Sequence, residues 1–359
     1  RSVALAARRE SAVAVTMQDV ARRAGVSAKT VSNVVNGYPY IRPETRARVL
    51  AAIEELGYQM NASARSLRTG RSGIIALAVP ELRVPYFAEL AGAVIAAAEG
   101  RGLTVIIEQH GGRRDLELEV LRGARRHLTD GLIYSPLALG PGDEDLLDVG
   151  YPLVLLGERI FHPGIDHVTM RNTAAARAAT EHLLAAGRRR IVAMGPNPHQ
   201  VVGSAPLRFA GYRAALEAAG MPLDPALEVE TIQTWDHATG ARTIGRLVDE
   251  GVTFDAVFAF NDSLALGAMH ELQVRGYAVP DDVAVMGFDA IEEGRYSNPT
   301  LTTVDPGRAQ IPQEAVRLID ERKRGVAGDP QRVEPAFRIV PGGSTGAQES
   351  APLARAVRR

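Results

Sequence analysis

The run Thr16-Met-Gln-Asp-Val-Ala-Arg-Arg-Ala-Gly-Val-Ser-Ala-Lys-Thr-Val-Ser-Asn-Val-Val-Asn36 constrains this chain more than any other stretch. It predicts two short helices joined by a tight turn. The Thr16 hydroxyl can cap the first helix, and Asp19 can return to the cap's own N–H while meeting the positive helix end. Val20, Ala21 and Ala24 form one apolar stripe. Gly25 falls where the backbone must turn, and glycine tolerates the positive φ of a helix C-terminus. Ser27 can cap the second helix. There, Val31, Val34 and Val35 repeat at helical spacing and face the first helix. Ala28, Lys29, Thr30 and Asn33 are left facing outward. Small, hydrogen-bonding and cationic side chains at the start of a second helix are what base edges and phosphates require, so the segment predicts a helix-turn-helix entering the DNA major groove. A third helix follows from Pro43, burying Val49, Ile53 and Leu56 and ending at Gly57.

The segment resembles the LacI (lactose repressor) family of bacterial transcription regulators. The resemblance rests on Val-Thr-x-x-Asp-Val-Ala-x-x-Ala-Gly-Val-Ser-x-x-Thr-Val-Ser, on Val-Val-Asn36, on Thr45-Arg-x-Arg-Val49 and on Leu56-Gly-Tyr58. It continues through Asn61-Ala-Ser-Ala-Arg-Ser-Leu67, similar to the family's hinge helix. It implies that Ala28, Lys29 and Asn33 read bases, and that Thr16, Ser27, Asn36, Tyr40 and Thr45 contact groove edges or phosphates. Many members carry Arg where this chain has Asn33, so their operator sequences do not transfer; adenine is the natural partner of a bidentate Asn. Leu67 stands on a basic segment with Arg65, Arg68 and Arg71. It either packs against its mate in a dimer or acts as a minor-groove wedge that kinks DNA, the role the resemblance implies.

Charge is distributed as this reading requires. The net charge is −1, yet residues 1–71 carry 12 Lys/Arg against 5 Asp/Glu, while residues 72–359 carry 29 against 37. A basic end on an acidic body suits phosphate binding by the end alone. Cysteine is absent, which excludes disulfides and thiolate metal sites. No apolar run is long enough to span a bilayer. Arg1–Glu10 is too short and too charged for a secretory signal, so a cytoplasmic chain is expected, with residues 1–14 a disordered arm.

From Gly73 onward apolar runs alternate with helical patterns. Strands are predicted at Gly73–Val79, Leu103–Glu108, Gly131–Tyr134, Leu153–Leu156, Ile191–Met194, Ala256–Phe260 and Val283–Gly287, with helices at Phe87–Arg101 and Asp115–His127. Apolar strands separated by helices mean parallel sheets covered on both faces. Two α/β lobes with a ligand cleft at the strands' C-terminal ends are expected. The body resembles the type I periplasmic-binding-protein fold. The expected organisation is a helix-turn-helix domain over 15–60, a hinge over 61–71, and a two-lobed effector-binding and dimerisation domain over 72–345. The analogy puts chain crossings near 168–171, 297–304 and 330–335, and a flexible tail follows over 346–359. That tail lacks leucine heptads, so a homodimer reading a palindromic operator is expected.

Candidate effector contacts follow the predicted strands. Tyr86 can stack on a ligand ring or plug a helix start; Phe87 reads better as core. Arg208 sits at a predicted helix start, where the dipole disfavours a cation, and this hints at a ligand or ion-pair partner. Trp235, the single tryptophan, offers a sugar-stacking face or core filling. Asn261 and Asp262 offer donor and acceptor to a polyol, or a helix cap. Asp289 can accept from hydroxyls or a base. Arg208, Trp235, Asn261 and Asp289 match the family's effector-contact positions, which implies a sugar or nucleoside-like ligand. Glu158 and Arg159 are weaker additions. An enzyme is not expected: there is no Gly-x-Gly-x-x-Gly fingerprint, P-loop, Gly-x-Ser-x-Gly elbow or His/acid metal cluster, and no cofactor is implied. The competing class is a solute-binding protein, against which the helix-turn-helix weighs.

Overall fold

The computed structural model describes residues 15–35, 37–58, 72–123, 128–231 and 234–346. The chain divides into two compact units, Arg1–Ser72 and Gly73–Arg359. Asn36, Arg65 and Leu67, the hinge, the N-terminal arm and the tail beyond Gly346 fall outside the described residues.

The first unit holds three helices, α1 (Met17–Ala24), α2 (Ala28–Val35) and α3 (Pro43–Leu56). Asp19 and Thr16 form the reciprocal capping box: the Thr16 N–H donates to Asp19 Oδ2 at 2.9 Å and the Asp19 N–H to Thr16 Oγ1 at 3.3 Å. Gly25 is left-handed at φ 61°, which lets the Val26 N–H reach the Ala21 carbonyl at 3.0 Å and close α1. Val20, Val31 and Val49, one from each helix, are fully buried together. On α3 the buried face runs through Val49 and Ala52, while Ile53 and Leu56 are half-buried around it.

The second unit contains two six-stranded sheets. The first contains β1 (Ile74–Val79), β2 (Thr104–Gln109), β3 (Leu132–Tyr134), β4 (Leu153–Leu156), β5 (Asp166–Val168) and β11 (Arg332–Val333), in the order β11-β5-β4-β3-β1-β2, all parallel. The second contains β6 (Ile191–Met194), β7 (Glu228–Val229), β8 (Ala256–Ala259), β9 (Ala284–Phe288), β10 (Thr302–Asp305) and β12 (Arg338–Val340), in the order β12-β10-β9-β8-β6-β7. Only β12 runs antiparallel, against β10. Helices α4 (Pro85–Glu99), α5 (Arg114–Arg122) and α11 (Gln310–Lys323) belong to the first lobe. In the second lobe are α6 (Asn172–Ala185), α7 (Ser204–Ala218), α8 (His237–Asp249), α9 (Asp262–Val274) and α10 (Glu293–Tyr296). Each sheet has separate apolar clusters on its two faces, as an all-covered parallel sheet must.

The chain crosses between lobes over 169–171, 306–309 and 334–337. The second crossing therefore lies after the expected 297–304, because β10 is a full member of the second sheet. Thr302 is wholly buried there, with its hydroxyl bonded to the Gly342 carbonyl and to Thr345, so its polarity is satisfied inside the fold. Asp166 on β5 binds the Arg322 guanidinium at 2.6 and 2.9 Å and accepts the Gln331 N–H at 2.8 Å, tying β5 to α11 and to the approach of β11.

Candidate functional site

Both sheets place their first strand inside the order, so the chain reverses direction beside β1 in one lobe and beside β6 in the other. Ligands of open α/β sheets bind off the strand C-termini at such switch points. Here those ends supply Val79, Tyr134, Met194 and Ala259, with Asn261 and Asp289 just past their own strands.

Arg208 is the centre of this region. It is 3% exposed, and it is the fifth residue of α7 rather than its first, so the helix dipole does not act on it. Its surroundings explain it instead. Nε donates to Asn172 Oδ1 at 2.8 Å, and Nη1 donates to the Phe260 carbonyl. The guanidinium lies 3.6 Å from the Phe288 ring centroid and 5.8 Å from that of Trp235. Nη2 faces the Met170 sulfur at 3.7 Å and Asp289 Oδ1 at 3.6 Å.

Asp289 follows β9 with φ 112°, a left-handed backbone that no proline or glycine imposes. Such strain persists where surroundings over-determine it, and it collects at binding sites. Burial pushes the Asp289 carboxyl up to about 7, Arg208 pulls it back, and Glu158 adds to the rise. Burial likewise raises the Tyr86 hydroxyl, with Asp289 and Glu158 reinforcing the shift. Tyr86 therefore shares the electrostatic field of the pair. Glu158 itself accepts from the Thr169 hydroxyl at 2.9 Å and the Met170 N–H at 3.0 Å.

Three candidates prove to be partly or wholly committed to the fold. Asn261 caps α9: its Oδ1 accepts the Leu264 N–H at 2.8 Å and its Nδ2 donates to the Trp235 carbonyl at 3.0 Å. It thereby holds Trp235 beside Arg208. Phe87 packs with Tyr86 on the first lobe's core, ring centroids 5.1 Å apart. Asp262 is fully buried, accepting from Thr303 Oγ1 at 2.5 Å and the Ile291 N–H at 2.8 Å, so it anchors the loop that carries Asp289. Burial, with Asp289 second, raises its carboxyl well above the ordinary range.

Sequence reasoning missed Asn172, whose only signal was its place after a strand too short to show apolar periodicity. It also missed the junction of the lobes. There Glu89 on α4 accepts the Glu292 N–H at 2.9 Å and pairs with Arg308, which also reaches the Ala290 carbonyl. A cavity of about 340 Å³ adjoins this junction, lined by Tyr86, Glu89, Leu90, Ile291 and Arg308 among others.

In the first unit, α2 presents Lys29 outward, with Thr30 and Asn33 half-exposed. The Ser27 hydroxyl accepts the Thr30 N–H at 3.1 Å, the cap expected of it. Ala28 is half-buried against the helical core, less outward than expected. Tyr40, 82% exposed, meets Tyr38 edge-on at 5.6 Å, and Thr45 is half-buried on α3. No helix among the described residues is long and apolar enough to cross a membrane. Those residues hold no group of three or more His, Cys, Asp or Glu able to bind a metal.

Two family models match the chain. "Bacterial regulatory proteins, lacI family" covers residues 16–61, and "Periplasmic binding protein-like domain" covers residues 180–345. The HTH-type transcriptional regulator CelR of Thermobifida fusca is 35% identical over 327 residues, 89% of this chain and 94% of that protein. A LacI-family transcriptional regulator of Sanguibacter keddieii shares 52% identity over 77% of this chain and all of the solved chain, with TM-score 0.72. A CelR–cellobiose complex superposes with TM-score 0.68 at 29% identity, covering 92% of this chain and 99% of its own. A capped helix-turn-helix, two lobes of matching strand order and full-length likeness to such regulators together make this chain a member of the LacI family of DNA-binding transcriptional regulators.

Proposed function

We propose that this regulator binds a palindromic operator as a homodimer and that a sugar in the cleft between its lobes sets its operator affinity. The observation that carries the ligand half is the Arg208–Asp289 pair. A buried carboxylate at the end of β9 meets its cation at 3.6 Å, longer than a hydrogen bond, and that cation's Nη2 otherwise faces only a thioether. Sugar hydroxyls, which both donate and accept, complete such a pair, and Trp235 offers them an apolar face. CelR binding cellobiose supports a sugar over a nucleoside base. On the DNA side, Lys29, Thr30 and Asn33 are the base-facing set, with Thr16, Ser27, Tyr40 and Thr45 toward the backbone. Each copy reads one half-site, so two are required. Action on DNA supports a cytoplasmic location.

Selection of operators from random duplexes, followed by gel shifts with and without cellobiose and related sugars, tests the reading. Lys29→Ala should reduce preference for the selected duplex over random DNA at least tenfold, while Asp289→Asn should retain that preference but lose the sugar response. An unchanged sugar response in Asp289→Asn would remove the pair from ligand recognition. A response only to nucleosides would replace the sugar by a base.

A further inference from the structure

Arg159 follows β4 in the first lobe and reaches the second. Its Nη1 donates to the Val202 carbonyl, in the loop before α7, at 2.7 Å. That is one of five donors on a guanidinium. Its Nε is buried and has no acceptor among the described residues. The side chain passes close to two glycines. Nη2 is 3.8 Å from where a Cβ on Gly140 would stand, and Cδ is 3.3 Å from the same point on Gly203.

Neighbouring acids do not serve it. Glu117 feels its charge, but both Glu117 oxygens are occupied: Oε1 by the Leu137 and Ala138 N–H groups at 2.8 Å, Oε2 by the Leu139 N–H and the Tyr134 hydroxyl at 2.8 Å. Glu158 turns its Oε1 to Thr169 and Met170. Asp289 is engaged with Arg208, and Arg308 with Glu89. Arg159 is thus a half-buried cation without an ion pair among the described residues, at the lobe junction and next in sequence to Glu158. Burial lowers its hold on its proton, with Glu117 opposing. A buried donor without an acceptor costs free energy that a ligand oxygen recovers, and an oxyanion recovers most because the bond is charge-assisted.

We infer that the effector is an anionic sugar, carrying a carboxylate or a phosphate ester, and that Arg159 recognises the anion while Arg208 and Asp289 take the hydroxyls. This rests on the effector reading above and narrows it. The Val202 bond puts the anion against both lobes, so recognition and closure are coupled through one side chain.

The test uses the full chain at constant ionic strength. Calorimetry compares glucose with gluconate and with glucose 6-phosphate, and thermal unfolding is followed with inorganic phosphate. Wild type should bind one of the two anionic sugars at least tenfold tighter than glucose. Arg159→Gln should abolish that ratio, the anionic sugar losing at least tenfold more affinity than glucose. Phosphate should raise the unfolding temperature of wild type more than that of Arg159→Gln, a readout that does not depend on guessing the sugar. Equal phosphate shifts in both proteins would overturn the inference. So would a variant that weakens neutral and anionic sugars alike, since Arg159 would then be a lobe contact only. If neutral sugars alone bind and Asp289→Asn abolishes that binding, the effector reading stands and the anionic one falls. Preference for gluconate or for glucose 6-phosphate separates carboxylate from phosphate.

Discussion

At the scale of single residues, Asp289 carries the sharpest consequence. Its carboxyl holds a proton up to about pH 7 in the fold, against 3.8 ordinarily, because burial outweighs Arg208. Between those values the folded state binds more protons than the unfolded one, so this group's contribution is fully present below about pH 4 and is lost as pH rises through 7. Asp289→Asn removes the titration. The unfolding temperature of wild type, measured against that variant, should therefore fall between pH 5 and pH 8; a flat difference would show that Arg208 already keeps the carboxylate ionised. Hydroxyl donors favour the charged form, so sugar binding should release a proton near pH 7, which calorimetry in buffers of different ionisation enthalpy detects. The same residues show what sequence could reveal. Asp289 and Arg208 were legible as polar residues near strand ends. Their setting was not, because it is made by Asn172, Phe260 and Phe288, which lie far from Arg208 in the chain and adjoin it only through the sheet.

Among elements, legibility followed locality. The capping box of α1 and the left-handed Gly25 were readable because every partner lies within a few residues. Thr16→Ala removes the box, and a loss of about 1 kcal/mol is expected from the unfolding of the first unit. Circular dichroism of the full chain, set against Thr16→Ser as a conservative control, measures it, and equal melting of Ser and Ala variants would assign the loss elsewhere. The apolar strands β1, β4, β6 and β8 were readable from their runs. β5, β7, β10, β11 and β12 were not. They have two to four residues each and carry Asp, His, Thr, Glu or Arg, whose polarity is answered only by distant partners. A similar blindness hid how α8 and α9 meet. A side chain on Gly240 would strike the Leu264 backbone and one on Gly267 the His237 backbone. These two glycines set the closeness of the helix pair, and no periodicity announces them.

For the whole second unit, the junction at Glu89 ties the lobes together. One carboxylate holds a backbone N–H of the other lobe and an arginine of the crossing segment 306–309. A ligand shifts such an equilibrium only by its differential affinity for the two arrangements, and the junction sets the starting point. Glu89→Gln keeps the N–H acceptor and removes the negative charge that faces Arg308. It should raise the effector concentration needed for half-response about fivefold or more, the size of a coupling near 1 kcal/mol. DNA binding titrated against effector measures this, and an unmoved midpoint would make the junction a passive contact.

The clasp around Asp166 bears on how the molecule is made. Its carboxylate is buried on β5, yet the groups that satisfy it, Arg322 and the Gln331 N–H, come from more than 150 residues later. An unpaired buried charge is costly, so the first lobe is less stable while these partners are missing. During synthesis its strands emerge first, but the groups that satisfy Asp166 arrive only after the strands of the second lobe from β6 to β10 have been made. The lobe that begins first is completed late, and neither lobe is one continuous piece of chain. A cut at the first crossing would leave the N-terminal fragment without α11 and β11 of its own lobe, both carried by the other fragment.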